Sequence, residues 1–232
     1  MGPDRLNAAM AAVRQEFAVE IADTPETQAE AFRLRYQVYC LERKFEPGLD
    51  GLETDAYDAM SHHLLLRHIA SQEAIGTVRL IRPRLRGPHS ELPMEQLSSL
   101  LKLRQLPRER VAEVSRFALS KSRRVASGCM GHLLRLALIR GIVQLSGDLK
   151  LSHWCALMEP KLLRLLQTSS IYFHQVGGLL EHHGFRQPSY VALGAMLDRV
   201  RMEQPAVWEF LTDNGTLWRE DSRQRSRQDI AA

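Results

Sequence analysis

Two apolar stretches, SHHLLLRHIA (61–70) and AIGTVRLIRP (74–83), lie three residues apart, and no other feature constrains the fold as tightly. Each has the length and the bulky apolar content of a strand. The polar connection Ser71-Gln72-Glu73 is too short for a crossover, so the two form an antiparallel hairpin. Whatever else the chain builds is added to that hairpin.

The flanking segments read as helices and further strands. FAVEIAD (17–23) alternates as a strand, and Thr24-Pro25-Glu26 then starts a helix with a hydroxyl cap, a proline in the first turn and an acid at the dipole. That helix is predicted to run to about Arg43, with Ala31, Leu34, Val38 and Leu41 as one apolar stripe. After a polar, acidic loop (46–58) and the hairpin come a short helix, MEQLSSLLKL (94–103), and a strand over 110–120. SGCMGHLLRLALIRGIVQLS (127–146) is an amphipathic helix, LSHWCALM (151–158) a strand and EPKLLRLLQ (159–167) a helix. IYFHQVG (171–177) and SYVALG (189–194) read as strands around a Gly/His loop, followed by helical pieces at 194–203 and 205–212. No repeat or linker divides the chain, so one domain over 1–218 is expected, with a charged, disordered tail over 219–232. The order gives an α/β or α+β layer with a mixed sheet.

The 232 residues suffice for a large core, and 44% hydrophobic with 25% charged residues is ordinary for a globular chain. No run of about 18 apolar residues predicts an integral membrane segment. The start MGPDRLNAAMAAVRQEF carries acids and lacks a long apolar core, so a secretory signal is not expected, nor is myristoylation. Cys40, Cys129 and Cys155 are scattered and odd in number, which fits reduced thiols in a cytoplasm. The histidines lack metal-ligand spacing, so no metal site is expected. No G-x-S-x-G elbow, Walker loop or Rossmann fingerprint is present. The net charge of +4 is modest, yet Arg82, Arg84, Arg86, Lys102, Arg104, Arg108, Arg110, Lys121, Arg123 and Arg124 crowd the middle of the chain. They form either a solvated surface or a docking face for an anionic partner. Without aromatic interleaving they do not read as a nucleic-acid interface.

EVSRFALSKSRR (113–124) sets a carboxylate, a hydroxyl and a guanidinium in a strand. Strand alternation places Glu113 and Ser115 on one face with Phe117, and Arg116 on the other with Val114. Such a group is either an ion-pair network that fixes register or chemistry: a carboxylate can take the proton an ammonium must lose before it attacks. The turn that follows feeds a helix past Gly128 and Gly131, a weak phosphate-binding signal.

In order, FRLRYQVYCLERKFE, ETDAYDAMSHHLLL, IGTVRLIRP and EVSRFALSK resemble the acyl-homoserine-lactone (autoinducer) synthases and the N-acyl amino acid synthases. With SHWCALMEPKLLRLL, GLLEHHGFRQPSY and VWEFLTD added, the pattern is most similar to acyltransferases associated with PEP-CTERM/exosortase systems, over residues 16–218. The resemblance implies a GNAT-type acyltransferase fold, a mixed and mostly antiparallel sheet whose central strands splay apart around the acyl thioester. It implies catalytic roles for Glu113, Ser115 and Arg116, with Glu113 as general base. It implies an acceptor site of Arg35, Tyr39, Phe45, Asp55, Asp58 and Arg79, with the aspartates pairing to Arg35 and to Arg79 or Arg116. Phe45 stands near where the synthases keep a tryptophan that helps hold S-adenosylmethionine, and this departure speaks against that cosubstrate. The phosphopantetheine arm is expected along Phe117 and Ala118, with Lys121, Arg123, Arg124, Gly128 and Gly131 beyond it. Acyl carrier protein, or the coenzyme A thioester, is the implied donor and partner, a small amine the acceptor, and no cofactor stays bound. The function expected is N-acyl transfer; an autoinducer synthase, or an acyl-thioester-binding regulatory module, is the alternative.

Overall fold

The structure, a computed structural model, describes residues 2–45, 50–84, 90–97, 101–123 and 131–218. It comprises two compact units, Met1–Leu80 with Arg116–Ile142, and Ile81–Ser115 with Val143–Ala232.

The first unit contains α1 (Pro3–Glu16), β1 (Phe17–Ile21), α2 (Pro25–Tyr36), β2 (Ser61–His68), β3 (Ala74–Ile81), the second half of β4 (Val111–Leu119) and most of α5 (Gly131–Asp148). Its strands are ordered β1-β2-β3-β4, with β1 antiparallel to β2 from Phe17↔His68 to Ile21↔Leu64. The expected hairpin is β2 and β3, and its turn is closed by the His68 amide donating to the Glu73 carbonyl at 2.9 Å. Thr24 caps α2: its hydroxyl accepts the Thr27 amide at 3.2 Å, and Thr27 Oγ1 accepts the Thr24 amide at 3.1 Å. Ala22, Ala31, Leu34, Leu65 and Ala74 form one buried cluster beneath α2. A fully buried leucine such as Leu34 contributes about 2 kcal/mol.

The second unit contains α3 (Pro93–Leu97), α4 (Leu101–Arg104), the first half of β4, the end of α5, β5 (His153–Met158), α6 (Pro160–Gln167), β6 (His174–Gln175), β7 (Leu180–Glu181), β8 (Phe185–Ala192), α7 (Leu193–Glu203) and α8 (Pro205–Thr212). β4 runs parallel to β5 over Val111–Glu113, while β5, β6 and β7 all pair antiparallel with β8. Trp154 is buried on β5 and donates its indole N–H to Ser146 Oγ at 2.8 Å. Among the described residues no helix is long and apolar enough to cross a membrane.

Several expectations change. α1 was not anticipated, although Pro3 follows an extended residue just as Pro25 does. Residues 37–42 form a π turn, with the Arg43 amide donating to the Val38 carbonyl at 3.0 Å. The wider turn breaks the 3.6-residue period, so Leu41 leaves the stripe and is exposed while Val38 stays buried. The expected helix over 94–103 is described as two segments, α3 and α4. The strand expected over 171–177 shrinks to β6, and β8 begins at Phe185, before Pro188 rather than after it. Pro188 is tolerated there because its carbonyl does the pairing, accepting the Val176 amide at 2.9 Å. Strand alternation also fails inside β4, because Arg116 has φ +51°, a left-handed conformation that turns the side chains after it out of step. The tail over 219–232 lies outside the described residues.

Candidate active site

Arg35 sits fully buried on the inner face of α2, where a guanidinium is stable only beside acids. Its Nε donates to Glu53, and its Nη1 donates to Asp58 Oδ1 at 2.6 Å. Arg79, buried on β3, donates through Nη1 to Asp55 Oδ1 and Asp58 Oδ1, each at 2.6 Å. Arg116 grips Glu53 through Nε at 3.0 Å and Nη2 at 2.7 Å, and Nη2 also reaches Asp55 Oδ2 at 3.0 Å. The acids converge because the segment that carries them, ETDAYD (53–58), curls on itself. The Asp55 amide donates to Asp58 Oδ2 at 2.7 Å, and the Tyr57 amide donates to Asp55 Oδ1 at 2.9 Å. Three guanidiniums and three carboxylates thus share one cluster within the first unit.

The electrostatics follow from that geometry. Burial pulls the Asp58 carboxyl up, but the hydrogen bond and charge of Arg35, with Arg79 behind them, prevail and hold it at about 2. Glu53 and Asp55 are lowered in the same way against their own burial, Glu53 by Arg116 and Arg35, Asp55 by Arg79 and then Arg116. Burial opposes the Arg35 charge, yet Glu53 and Asp58 hold it above its usual value. His63, edge-on to Phe32 and facing Asp58, is pushed down by burial and stays neutral near pH 7. The three carboxylates are therefore ionised at neutral pH.

Exposure grades across it. Glu53 and Asp58 are 7% and 8% exposed, whereas Asp55 and Arg116 reach 28% and 26%, so the Asp55–Arg116 pair is the edge that meets solvent. Aromatic groups stand beside that edge. The Arg116 guanidinium lies 5.8 Å from the Tyr39 ring centroid, and Tyr39 stacks on Phe45 with centroids 6.3 Å apart. Both aromatics come from the π turn and its exit. Burial pushes the Tyr39 hydroxyl up, so it remains a neutral donor.

The residues expected to meet an acyl donor have specific surroundings. Ala118 is buried on β4 and Phe117 half-buried. Lys121 is exposed, and its backbone amide, not its ammonium, is fixed: it donates to Glu42 Oε2 at 2.9 Å. Glu42 also accepts from the hydroxyls of Ser120 at 2.7 Å and Ser122 at 3.3 Å, clasping the turn after β4 to the π turn. Arg123 is tied to the Ala74 carbonyl at 2.6 Å and to Glu73. Gly131 opens the described part of α5, and Arg124 and Gly128 lie outside the described residues. In the second unit Arg104 pairs with Glu91 and Arg108 with Glu95.

Glu113 belongs to the second unit and is buried, its Oε2 accepting the Met94 amide of α3 at 3.0 Å. Ser115, two residues on, is half-buried. Cys155 lies opposite Glu113 in the β4–β5 ladder. Burial, reinforced by the charges of Glu113 and Glu95, holds its thiol well above the usual range, so it is no thiolate nucleophile.

Of the acceptor residues expected from sequence, Arg35, Tyr39, Asp55, Asp58 and Arg79 come together, with Phe45 behind Tyr39, and Arg116, expected as catalytic, joins them. Glu53 and Glu42 were missed. Charge counting could have found Glu53, because three arginines against two aspartates leave one guanidinium without a counter-ion. Nothing in the sequence singles out Glu42, whose partners Ser120, Lys121 and Ser122 lie about eighty positions away.

The acetyltransferase (GNAT) domain profile matches residues 34–133, which include every member of this cluster. No curated protein matches the sequence. Among solved structures the chain is similar to BjaI, a CoA-dependent acyl-homoserine lactone synthase, at 20% identity, TM-score 0.61, covering 92% of this chain and 99% of that one. It is similar to FeeM, an N-acyl amino acid synthase from uncultured soil microbes, at 17% identity, TM-score 0.59, covering 79% and 93%. The AHL synthase LasI gives 17% identity and TM-score 0.59, covering 75% and 88%. The fold is similar to that of these synthases, and residues 34–133 match the acetyltransferase (GNAT) domain profile.

Proposed function

We propose that the chain is an N-acyltransferase, moving a fatty acyl group from an acyl carrier protein or coenzyme A thioester to the amine of an amino acid. The observation that carries this reading is the partly exposed Asp55–Arg116 edge of an otherwise buried charge cluster. It offers an anion to an ammonium and a guanidinium fork to a carboxylate. The likeness to BjaI and FeeM supports the class of reaction, one described as CoA-dependent and the other as an N-acyl amino acid synthase.

The amine arrives largely protonated, since a free α-amine has a pKa of about 8. Glu113, three residues before Arg116 on β4, is the proposed base that takes this proton, directly or through one water. The amine nitrogen then attacks the thioester carbonyl carbon, backbone N–H groups of β4 steady the oxyanion, and the C–S bond breaks to release the thiol. Ser115 and Arg116 are assigned to holding the reactants. A protonated Cys155 fits direct attack without an acyl-enzyme. Lys121, with Arg123 and Arg124, is proposed to face the donor's anionic groups, while Phe117, Ala118, Gly128 and Gly131 line the pantetheine path. A cytoplasmic reaction is proposed on the scattered, odd-numbered cysteines, and the resemblance to exosortase-associated acyltransferases supports a role in service of the cell envelope. Phe45, stacked on Tyr39, favours an amino acid over S-adenosylmethionine as the acceptor.

The test incubates the protein with long-chain acyl-CoA or acyl carrier protein and a pool of amines, and reads N-acyl products by mass spectrometry. New N-acyl amino acids support the proposal. Thioester binding without acylation of any amine replaces it with a sensing module, and a lactone formed from S-adenosylmethionine replaces it with an autoinducer synthase.

A further inference from the structure

Arg116 differs from the other guanidiniums of the cluster in being open to a ligand, since Arg35 and Arg79 are buried and it is not. A guanidinium fork has two hydrogen-bonding edges. The side edge of Arg116, Nε with Nη2, is taken by both oxygens of Glu53 at 2.7–3.1 Å. On the end edge, Nη2 meets Asp55 Oδ2 at 3.0 Å, and Nη1 has no hydrogen bond among the described residues. Glu53 is not free to turn away, because it is buried and its second partner is the Nε of fully buried Arg35. The Arg116 backbone is held as well. A non-glycine residue at φ +51° in a strand persists only where its surroundings over-determine it, and the double grip of Glu53 supplies that hold.

We propose that Glu53 is a positioning residue that fixes the end edge of Arg116 as the seat of a ligand carboxylate, and that the ligand enters by exchange of partners. Its ammonium takes Asp55 from Arg116, and its carboxylate takes Nη2 together with Nη1. A ligand carrying both groups replaces every bond it breaks and leaves three guanidiniums balanced by three carboxylates. An ammonium alone strips Nη2 of its acceptor, and a carboxylate alone must compete with Asp55. The site therefore selects zwitterions over singly charged analogues, and Glu53 sets that selectivity without touching the ligand. The inference rests on the amino acid acceptor proposed above.

Ligand-observed NMR on the full chain tests it without turnover. A pool of the protein amino acids is screened first, and the member that binds is compared with its primary amide, an ammonium alone, and its N-acetyl form, a carboxylate alone. Both analogues are expected to bind at least tenfold more weakly. In Glu53→Gln, checked for folding by circular dichroism, the amino acid should lose tenfold or more. Its N-acetyl form should come within threefold of it, because a loosened side edge accepts a carboxylate without displacing Asp55. A merely structural role would weaken all three ligands alike. Where that variant does not fold, Arg116→Lys, which keeps the charge and lacks the fork, should bind the amino acid and its amide equally. Equal binding of all three ligands by the unaltered protein overturns the exchange, and an unchanged ratio in Glu53→Gln overturns the role of Glu53. If amino acids are acylated in the mass-spectrometric assay while either result holds, only this inference falls. If no amino acid binds and only carboxylate-free amines are acylated, the acceptor assignment falls with it.

Discussion

Asparagine in place of Asp58 keeps the shape of the side chain and removes its charge from between two buried guanidiniums. Asp58 Oδ1 accepts from Arg35 and Arg79 at 2.6 Å each, and Oδ2 accepts the Asp55 amide at 2.7 Å. An amide retains one acceptor oxygen and turns an NH2 group against donors on the other side. Breaking a buried ion pair from one side costs about 3–5 kcal/mol, and Asp58→Asn is expected to lose that much at pH 7. The pH dependence isolates the charge itself. The folded carboxyl titrates at about 2 against an ordinary 3.8, so its contribution is fully present above 3.8 and is lost as pH falls through that interval. The depression corresponds to about 2 kcal/mol, of which about 1 kcal/mol is gone by pH 3. Asparagine cannot show this loss. Urea unfolding followed by circular dichroism at pH 7, 5, 4 and 3 should find the gap between protein and variant narrowing by about 1 kcal/mol between pH 5 and 3. Parallel stability–pH curves would refute the reasoning, because they would mean that Asp58 titrates alike in the folded and unfolded chain.

Other outcomes follow from the same contacts. Glu113→Gln should lower turnover about 100-fold at neutral pH and recover part of it at high pH, where more of the amine is already deprotonated; equal rates would remove Glu113 from the mechanism. Glu42→Gln should cost about 1 kcal/mol in urea unfolding at pH 7, because the Ser120 and Lys121 donors lose a charged acceptor, and the difference from the unaltered protein should fade as acid protonates Glu42. Gly141→Ala should destabilise by about 1–3 kcal/mol despite its better helix propensity, because the new Cβ would lie 2.4 Å from Val19 Cγ1 and 3.1 Å from Leu64 Cδ2; a neutral result would show that α5 shifts easily over β1. Cys155 should resist alkylation in the native protein and react only after unfolding, read by peptide mass mapping, whereas half-buried Cys40 should react before it.

The parts of the fold that sequence made legible are those whose signals are local. Thr24-Pro25-Glu26 announces α2 through groups within one turn, and the three-residue gap between β2 and β3 leaves a hairpin as the only connection. α6 and α8 each start at a proline for the same reason. What sequence hid depends on contacts between distant residues or on one backbone angle. Arg116 reads as an ordinary strand residue until its left-handed φ shows that alternation cannot cross it. Leu41 fits an apolar stripe at helical spacing and leaves it only because the turn widens at Gln37. Within the site, Arg35 and the paired aspartates were legible because a guanidinium on an inner helix face demands acids. Glu53 was not, since a glutamate in an acidic loop looks solvated until Arg35 and Arg116 are seen on either side of it.

The π turn at 37–42 holds one residue more than the α-helix it interrupts, and the Phe45 amide still reaches back to the Tyr39 carbonyl at 2.9 Å. Losing any one residue there would restore the regular ladder and swing everything behind it by about 100° around the helix axis. The aromatic wall beside Asp55 and Arg116 is thus set by a count of residues as much as by their identity. A homologue one position shorter in this turn would keep the same letters and present a different wall, and an alignment that closes the gap silently would pair Phe45 with a residue facing elsewhere.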